Sequence, residues 1–362
     1  MLLAVGLAAQ EPSGELDSVL QQAGASYSKG DYIAARKNAE RAWTFAQQTP
    51  PEDPRRYQSL KLLFSVSSAV GQYADAEKYL QQAIDWPNNS RFLDDLTELA
   101  MLCRRRGDPQ RGLGILQTLV NRHSESDGPE NTLVADDFSR MALLYMDAKE
   151  PEKAVGALET AIGIRSKALG TEHPGLLPEL DRLGSTWVML REYEKAEPVY
   201  RRALVIRERA VGADSPDLIP TVEGLGYSCF GQKKYAEAEP FYNRLLALWE
   251  SAGGKDHPMV ALTLDKMAVF YRAQDRWADA AAATVKSNVI RALFLAAGLN
   301  QEGAFRLLRE DRRAAVRLFQ KALSTLDPTR AEHDELRLQI EANLKELVGS
   351  PRKAAPTRKG SK

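Results

Sequence analysis

Cysteine is nearly absent from the sequence. Two residues, Cys103 and Cys229, cannot build a disulfide framework or an all-cysteine zinc cage. Histidine is almost as scarce, with four in 362 residues. Charge of one sign is not in excess: 49 basic residues balance 49 acidic ones, so overall charge makes no case for nucleic acid or an anionic membrane. No run of about 18 apolar residues occurs, which predicts no transmembrane helix. Gly-rich phosphate loops, metal-spaced clusters and nucleophile elbows are missing too. These absences leave no catalytic centre, cofactor or metal to expect. What is present is 44% hydrophobic residues, enough for a large core.

Those residues repeat. A small residue is followed four on by an apolar one and three further by Ala or Leu. Ala35, Ala39, Ala42 fit, then Ala76, Leu80, Ala83 and Gly112, Leu116, Leu119. Ala154, Leu158, Ala161; Ala196, Tyr200, Ala203; and Ala238, Tyr242, Leu245 follow. Ala280, Thr284, Ser287 is a degraded copy, and Ala315, Phe319, Ala322 closes the series. The steps are 41, 36, 42, 42, 42, 42 and 35 residues.

Each unit predicts two helices. Leu180, Leu183, Trp187 and Leu190 space as one helical face, "REY" makes a turn, and Ala196, Val199, Tyr200, Ala203 and Ile206 form a second face. Two antiparallel helices approach closely only where a side chain is short, which explains the small residue at 196. Neither helix can bury its stripe alone, so pairs must stack. Pro198 and Pro240 fall near the start of second helices, where proline is tolerated.

The segments "LGSTWVMLREYEKAEPVYRRAL" (183–204) and "LGYSCFGQKKYAEAEPFYNRLL" (225–246) resemble tetratricopeptide repeats. The long step and a "G-x-D/E-H/S-P" connector are similar to the repeats of kinesin light chains and their bacterial relatives. The likeness covers about residues 17–325. It implies an all-α, right-handed superhelical solenoid of about eight helix pairs over residues 13–329. It also implies a concave groove, lined by the first helices, in which a partner protein or peptide binds.

The connectors "GTEHPGLL", "GADSPDLI" and "GKDHPMV" hold histidine beside an acid twice, which raises the question of a metal site. His173, Ser215 and His257 are 42 residues apart, so they fill one slot of successive units, and a zinc ligand would not exchange with serine. The constant residue is the next one: Pro174, Pro216, Pro258. Proline suits the first position of a helix, and the residue before it is then an N-cap. His123 and His333 have no partner in sequence and are expected at the surface. Cys103 and Cys229 are three steps apart, too far for a disulfide, and occupy a core slot as free thiols.

By register, the groove-facing residues are Arg104, Arg105, Arg140, Asp181, Arg182, Ser185, Glu223, Tyr227, Phe230, Asp265, Lys266, Val269 and Arg272. The resemblance implies asparagine in one slot, where it would bond a peptide backbone; here that slot holds Arg140, Arg182, Gly224 and Lys266. Two readings follow. The cations are an intramolecular ion-pair ladder with Asp181, Glu223 and Asp265, or a surface for an acidic or phosphate-bearing partner, with Tyr227 and Phe230 as apolar anchors.

The ends differ from the repeats. Residues 1–12 read either as a truncated signal peptide, cleaved near Ala9 to Glu11, or as an apolar lead-in; the sharp change at Gln10 favours export, periplasmic or secreted, over a cytoplasmic chain. Residues 330–348 carry Leu336, Ile340, Leu344 and Leu347 on one face and read as a C-terminal capping helix. Residues 349–362 are basic, without an acid, and read as a disordered tail. Asn88 begins a glycosylation sequon. The function expected is a non-catalytic interaction scaffold; the alternatives are a peptide-sensing regulatory module or a non-catalytic subunit of an envelope assembly. The oligomeric state is not legible.

Overall fold

The computed structural model describes residues 12–349, apart from 88 and 310. The N-terminal apolar run, the sequon asparagine and the basic tail beyond 349 lie outside the described residues. Among those residues every regular element is helical.

The chain divides after Thr186 into two compact units. The first holds α1 (Pro12–Ser28), α2 (Tyr32–Ala46), α3 (Pro54–Ala69), α4 (Tyr73–Ile84), α5 (Phe92–Arg106), α6 (Pro109–Asp127), α7 (Thr132–Asp147), α8 (Pro151–Leu169) and the start of α9 (Leu177–Met189). The second continues with α10 (Tyr193–Val211), α11 (Ile219–Gly231), α12 (Tyr235–Gly253), α13 (Pro258–Arg272), α14 (Trp277–Leu308), α15 (Arg312–Thr325) and α16 (Asp334–Gly349). Within each unit, helices pack as consecutive hairpins and each hairpin packs on the next, as in α1/α2 on α3/α4 and α11/α12 on α13.

Several helices begin at a side-chain cap. The Asp31 carboxylate accepts from the Ala34 N–H at 3.0 Å, and Asp53 accepts from the Arg55 N–H at 2.9 Å with Pro54 at the first position. Asp108 before Pro109 and Asn131 before Thr132 do the same. The first seven helix pairs each turn through a left-handed residue. Gly30, Gly71 and Gly107 supply it first, at φ of 76°, 77° and 79°. Lys149, Arg191, Lys233 and Asp275 then take the same place at 58–62°, where a side chain costs about 1–2 kcal/mol.

The small-residue series marks the core. All of its members are buried in every copy except the degraded one, where Thr284 is half-exposed. Gly112 shows why size matters: a Cβ there would lie 3.0 Å from the Ala100 carbonyl oxygen on the crossing helix. Cys103 and Cys229 are buried free thiols, and burial pushes the Cys229 thiol up to about 11.

Two histidines are not at the surface. His123 is buried, with Nδ1 2.7 Å from Asp137 Oδ2, and His333 is buried with Nδ1 accepting from the Asp327 N–H at 2.8 Å. The sequence offered no partner because the partners come from the next helix and the preceding turn. His123 belongs to a series. Asp95, Asp137, Glu179, Thr221 and Thr263 stand 42 residues apart, all 0–2% exposed. His123, Arg165 and Arg207, also 42 apart, reach Asp137, Glu179 and Thr221 respectively. Buried polar groups require such partners, so three successive junctions each carry a polar rung.

The last junction is different. α14 is continuous over 32 residues, the combined length of the 19-residue α12 and the 13-residue α11. The final repeat step is seven residues shorter than the regular one, the length of the segments that separate α8 from α9 and α10 from α11. The second helix of one pair and the first helix of the next are thereby fused. The second half of α14 packs with α15 and α16 around Ala296, Phe319, Leu326 and Ile340, a core separate from that of α13. Ile340 and Leu347 of α16 are buried there, with Leu336 and Leu344 packed alongside, on the face expected from sequence. α14 also corrects the expectation drawn from apolar runs. Among the described residues it is the one helix long and apolar enough to cross a membrane, with only 28% of its most apolar window buried. Scattered charges had interrupted the run without removing its apolar character.

Candidate protein-interaction face

The connector histidines act as caps. His173 Nδ1 accepts from the Gly175 N–H at 3.0 Å, Ser215 Oγ from the Asp217 N–H at 3.2 Å, and His257 Nδ1 from the Met259 N–H at 3.2 Å. Three residues of two types therefore make one bond. The His257 ring also stacks on Trp249, 5.6 Å between centroids.

The groove candidates on first helices separate by charge partner. Arg104 pairs with Asp147 at 2.5 Å, and Arg140 with the buried Asp137 at 3.2 Å. Arg182 lies 4.0 Å from Glu179. Lys266 is paired with Glu223, and Asp265 with Arg291. Lys266–Glu223 is the one pair here between a slot cation and an acid of the expected ladder; Arg104, Arg140 and Arg182 face other acids, and Asp265 takes Arg291. Two cations have no carboxylate within ion-pair distance among the described residues. Arg105 donates to Ser68 Oγ at 2.7 Å, and Arg272 Nε donates to its own helix at Ala268 O.

The apolar candidates separate too. Tyr227 is exposed, its ring edge-on to Tyr193 at 6.0 Å. Val269, one unit further on, is exposed in the same slot. Phe230 instead packs into the core against Phe270 and Tyr235, so it is no free anchor.

Arg105 lines a cleft of about 390 Å³ between α1, α3 and α5, the first helices of three successive pairs. Its apolar floor is Phe64, Met101, Leu102 and Tyr27; Ser65, Thr97 and Glu98 form the rim. Glu98 is paired with Lys61, which also holds the buried Asp95 at 2.8 Å. The sequence reading missed Thr97, Glu98 and Met101, yet the signal was there: Glu98 is one step before Arg140, and Met101 three steps before Tyr227.

One group elsewhere has the composition of a metal site. The ligand atoms of Glu197, Cys229 and Glu237 lie within 4.8 Å of one another. Burial would raise the Glu197 carboxyl, but hydrogen bonds from Lys234, Arg201 and Gln232 bring it down to about 2. Its charge is already matched by two cations, and the Cys229 thiol is held protonated.

Residues 138–175, 180–217 and 218–283 match family models of the tetratricopeptide repeat. Over those residues the chain is built of tetratricopeptide repeats. Their 42-residue step and proline connector are the features that resemble kinesin-light-chain repeats. Among solved structures it is similar to BtubC (BKLC) from P. vanneervenii, at 18% identity over 68% of this chain and 93% of that one, with a TM-score of 0.50. The C-terminal part of a TPR repeat-containing protein from Cytophaga hutchinsonii gives 14% identity over 88% and 98%, with a TM-score of 0.52. The apo form of RapI gives 15% identity over 76% and 97%, with a TM-score of 0.50. No curated protein sequence matches the chain. A tetratricopeptide repeat array of this kind is a protein–protein interaction scaffold.

Proposed function

We propose that the chain is a non-catalytic scaffold that holds a segment of a partner protein on the first helices, with the α1/α3/α5 cleft as its principal site. The observation that carries this reading is Arg105. It stands over an apolar floor with one hydrogen bond, to Ser68, and no carboxylate partner, while its neighbours along the register are neutralised. A guanidinium has five donors, so most of its capacity is unused. The cleft therefore suits an apolar side chain of the partner with an acidic group beside it. The paired cations Arg104 and Arg140 add little to affinity.

Peptide display on the native protein tests this. Selected peptides should carry an apolar residue next to Asp or Glu. Arg105→Glu should weaken their binding more than tenfold, about 1.4 kcal/mol, and added salt should weaken it too. Arg182→Glu should change it little. Peptides bound equally by the native protein and Arg105→Glu would move the site to Tyr227 and Val269.

A further inference from the structure

A groove opens across α14 where the connector is missing. Asp256 and Glu332 each stand just before the histidine of a connector, His257 and His333. The connector due between them, 42 residues past Asp256 at Gly298, is replaced by helix. The two flanking connectors border a common cavity of about 360 Å³ instead. Leu293, Phe294 and Ala297 of α14 and Leu336 of α16 form its apolar floor. Asp256, Glu332 and Glu335 line it as well.

The groove is acidic. Among the described residues none of these three carboxylates has a cation within ion-pair distance. Arg330 and Arg337, two residues from Glu332 and Glu335, are held by Asp327 and Asp334. Lys255 and Lys286 line the adjoining cavity, which shares Asp256 and Glu332 and is of mixed charge. The floor is open too, with Phe294 61% exposed. A second phenylalanine of the same helix shows what Phe294 lacks. Phe305 is also exposed, and it carries the Arg309 guanidinium over its ring at 4.5 Å. Among the described residues no cation stands over Phe294. A guanidinium placed there would meet the ring face and a carboxylate together.

We propose that the chain's own C-terminal segment, residues 350–362, occupies this groove. The charges match. The segment holds five cations and no acid: Arg352 and Lys353, then Arg358, Lys359 and Lys362. Between the two basic groups stand Ala354, Ala355 and Pro356, which can cross an apolar floor. The reach matches as well. α16 lines the groove with its first turns and ends at Gly349, about 21 Å along its axis from Glu335. Gly349, Ser350 and Pro351 are turn formers, so the chain can double back along α16. Extended at about 3.3 Å per residue, Ala355 lies about 20 Å from Gly349 and Arg358 about 30 Å. The first comes abreast of Glu335 and Leu336, beside Phe294, and the second abreast of Glu332 and Asp256. A short tether holds the segment at an effective concentration on the order of millimolar, so several weak contacts suffice. An anionic lipid surface, by contrast, would be repelled by the same three acids.

Disulfide trapping in the full chain tests this. Lys359→Cys with Ala297→Cys, an exposed groove residue, should close an intrachain disulfide on mild oxidation. It should do so at least about ten times faster than Lys359→Cys with Ala281→Cys, exposed on the same helix outside the groove. The two native cysteines are buried and do not compete. Asp256→Asn with Glu332→Gln and Glu335→Gln should remove most of that advantage, and about 0.5 M salt should reduce it. The thermal transition should stay in place, since all three acids are exposed. Equal rates at Ala297 and Ala281 overturn the proposal. So does an advantage that survives neutralisation of the acids, which would make it a matter of tether length alone. A disulfide that forms only between chains would give the groove to a second copy and overturn the proposal equally.

Discussion

The junction between α12 and α13 and the middle of α14 hold equivalent places in the repeat, and seven residues separate their fates. At the first, Gly254 turns the chain at φ 84°, His257 caps, and Pro258 opens the next helix. At the second the chain continues as helix. The side chains that follow are alike: Val260 against Leu295, Phe270 against Phe305. One set is buried and the other faces water. Apolar patterning makes a helix sticky on one side, but the connector decides whether that side reaches its neighbour.

The largest expected effect breaks the fused helix. Gly298→Pro removes a helical hydrogen bond and sets the ring against the carbonyl of Phe294, at a cost of about 3 kcal/mol or more. Hydrogen exchange should rise in α15 and α16 and remain unchanged in α10–α12, although Pro198 and Pro240 are native to α10 and α12. Those prolines are the sixth residues of their helices, inside them rather than in the first turn, so each native helix already lacks one backbone hydrogen bond. Uniform loss of protection would mean that the C-terminal core is not separate.

Acid probes the regular region. Glu197, brought down to about 2 from an ordinary 4.5, stabilises the fold above the higher value. That contribution, up to about 3 kcal/mol, should be lost as pH falls from 5 to 2. Glu197→Gln should flatten the stability profile across that window; an unchanged profile would dismiss the Lys234–Glu197–Arg201 cluster as a source of stability.

Ala196→Leu should overpack the contact with Tyr200 and Leu225 and cost about 1–3 kcal/mol by denaturant titration. A neutral result would contradict close packing at that site. Lys233→Gly relieves a left-handed side chain that Gly107 avoids in the first unit, so it should stabilise by about 0.5–1 kcal/mol after the extra freedom of unfolded glycine is counted. His173→Ser should be the smallest change, under about 0.5 kcal/mol, because Ser215 makes the same cap. Stoichiometric zinc lost with His173 would reject the capping role.

The helix pairs, the small-residue core and the capping connectors were legible because each is a local pattern repeated at a fixed step. Arg140 and Lys266 were legible as positions but not as charges in use, since their partners depend on side-chain reach. The burial of His123 was missed for the same reason: Asp137 meets it across a helix crossing, although the same slots recur at Arg165 and Glu179. The fused helix was written in the 35-residue step, which reads as a shortened repeat until the missing seven residues are matched to the connector.

A 32-residue helix is about 48 Å long. One end of α14 is set among the side chains of α13, and the other carries α15 and α16. A connector would absorb a twist in a few backbone torsions. An unbroken helix cannot, so α14 is a stiff lever arm: a pull on α16 arrives at α13 as torque instead of being lost in a joint.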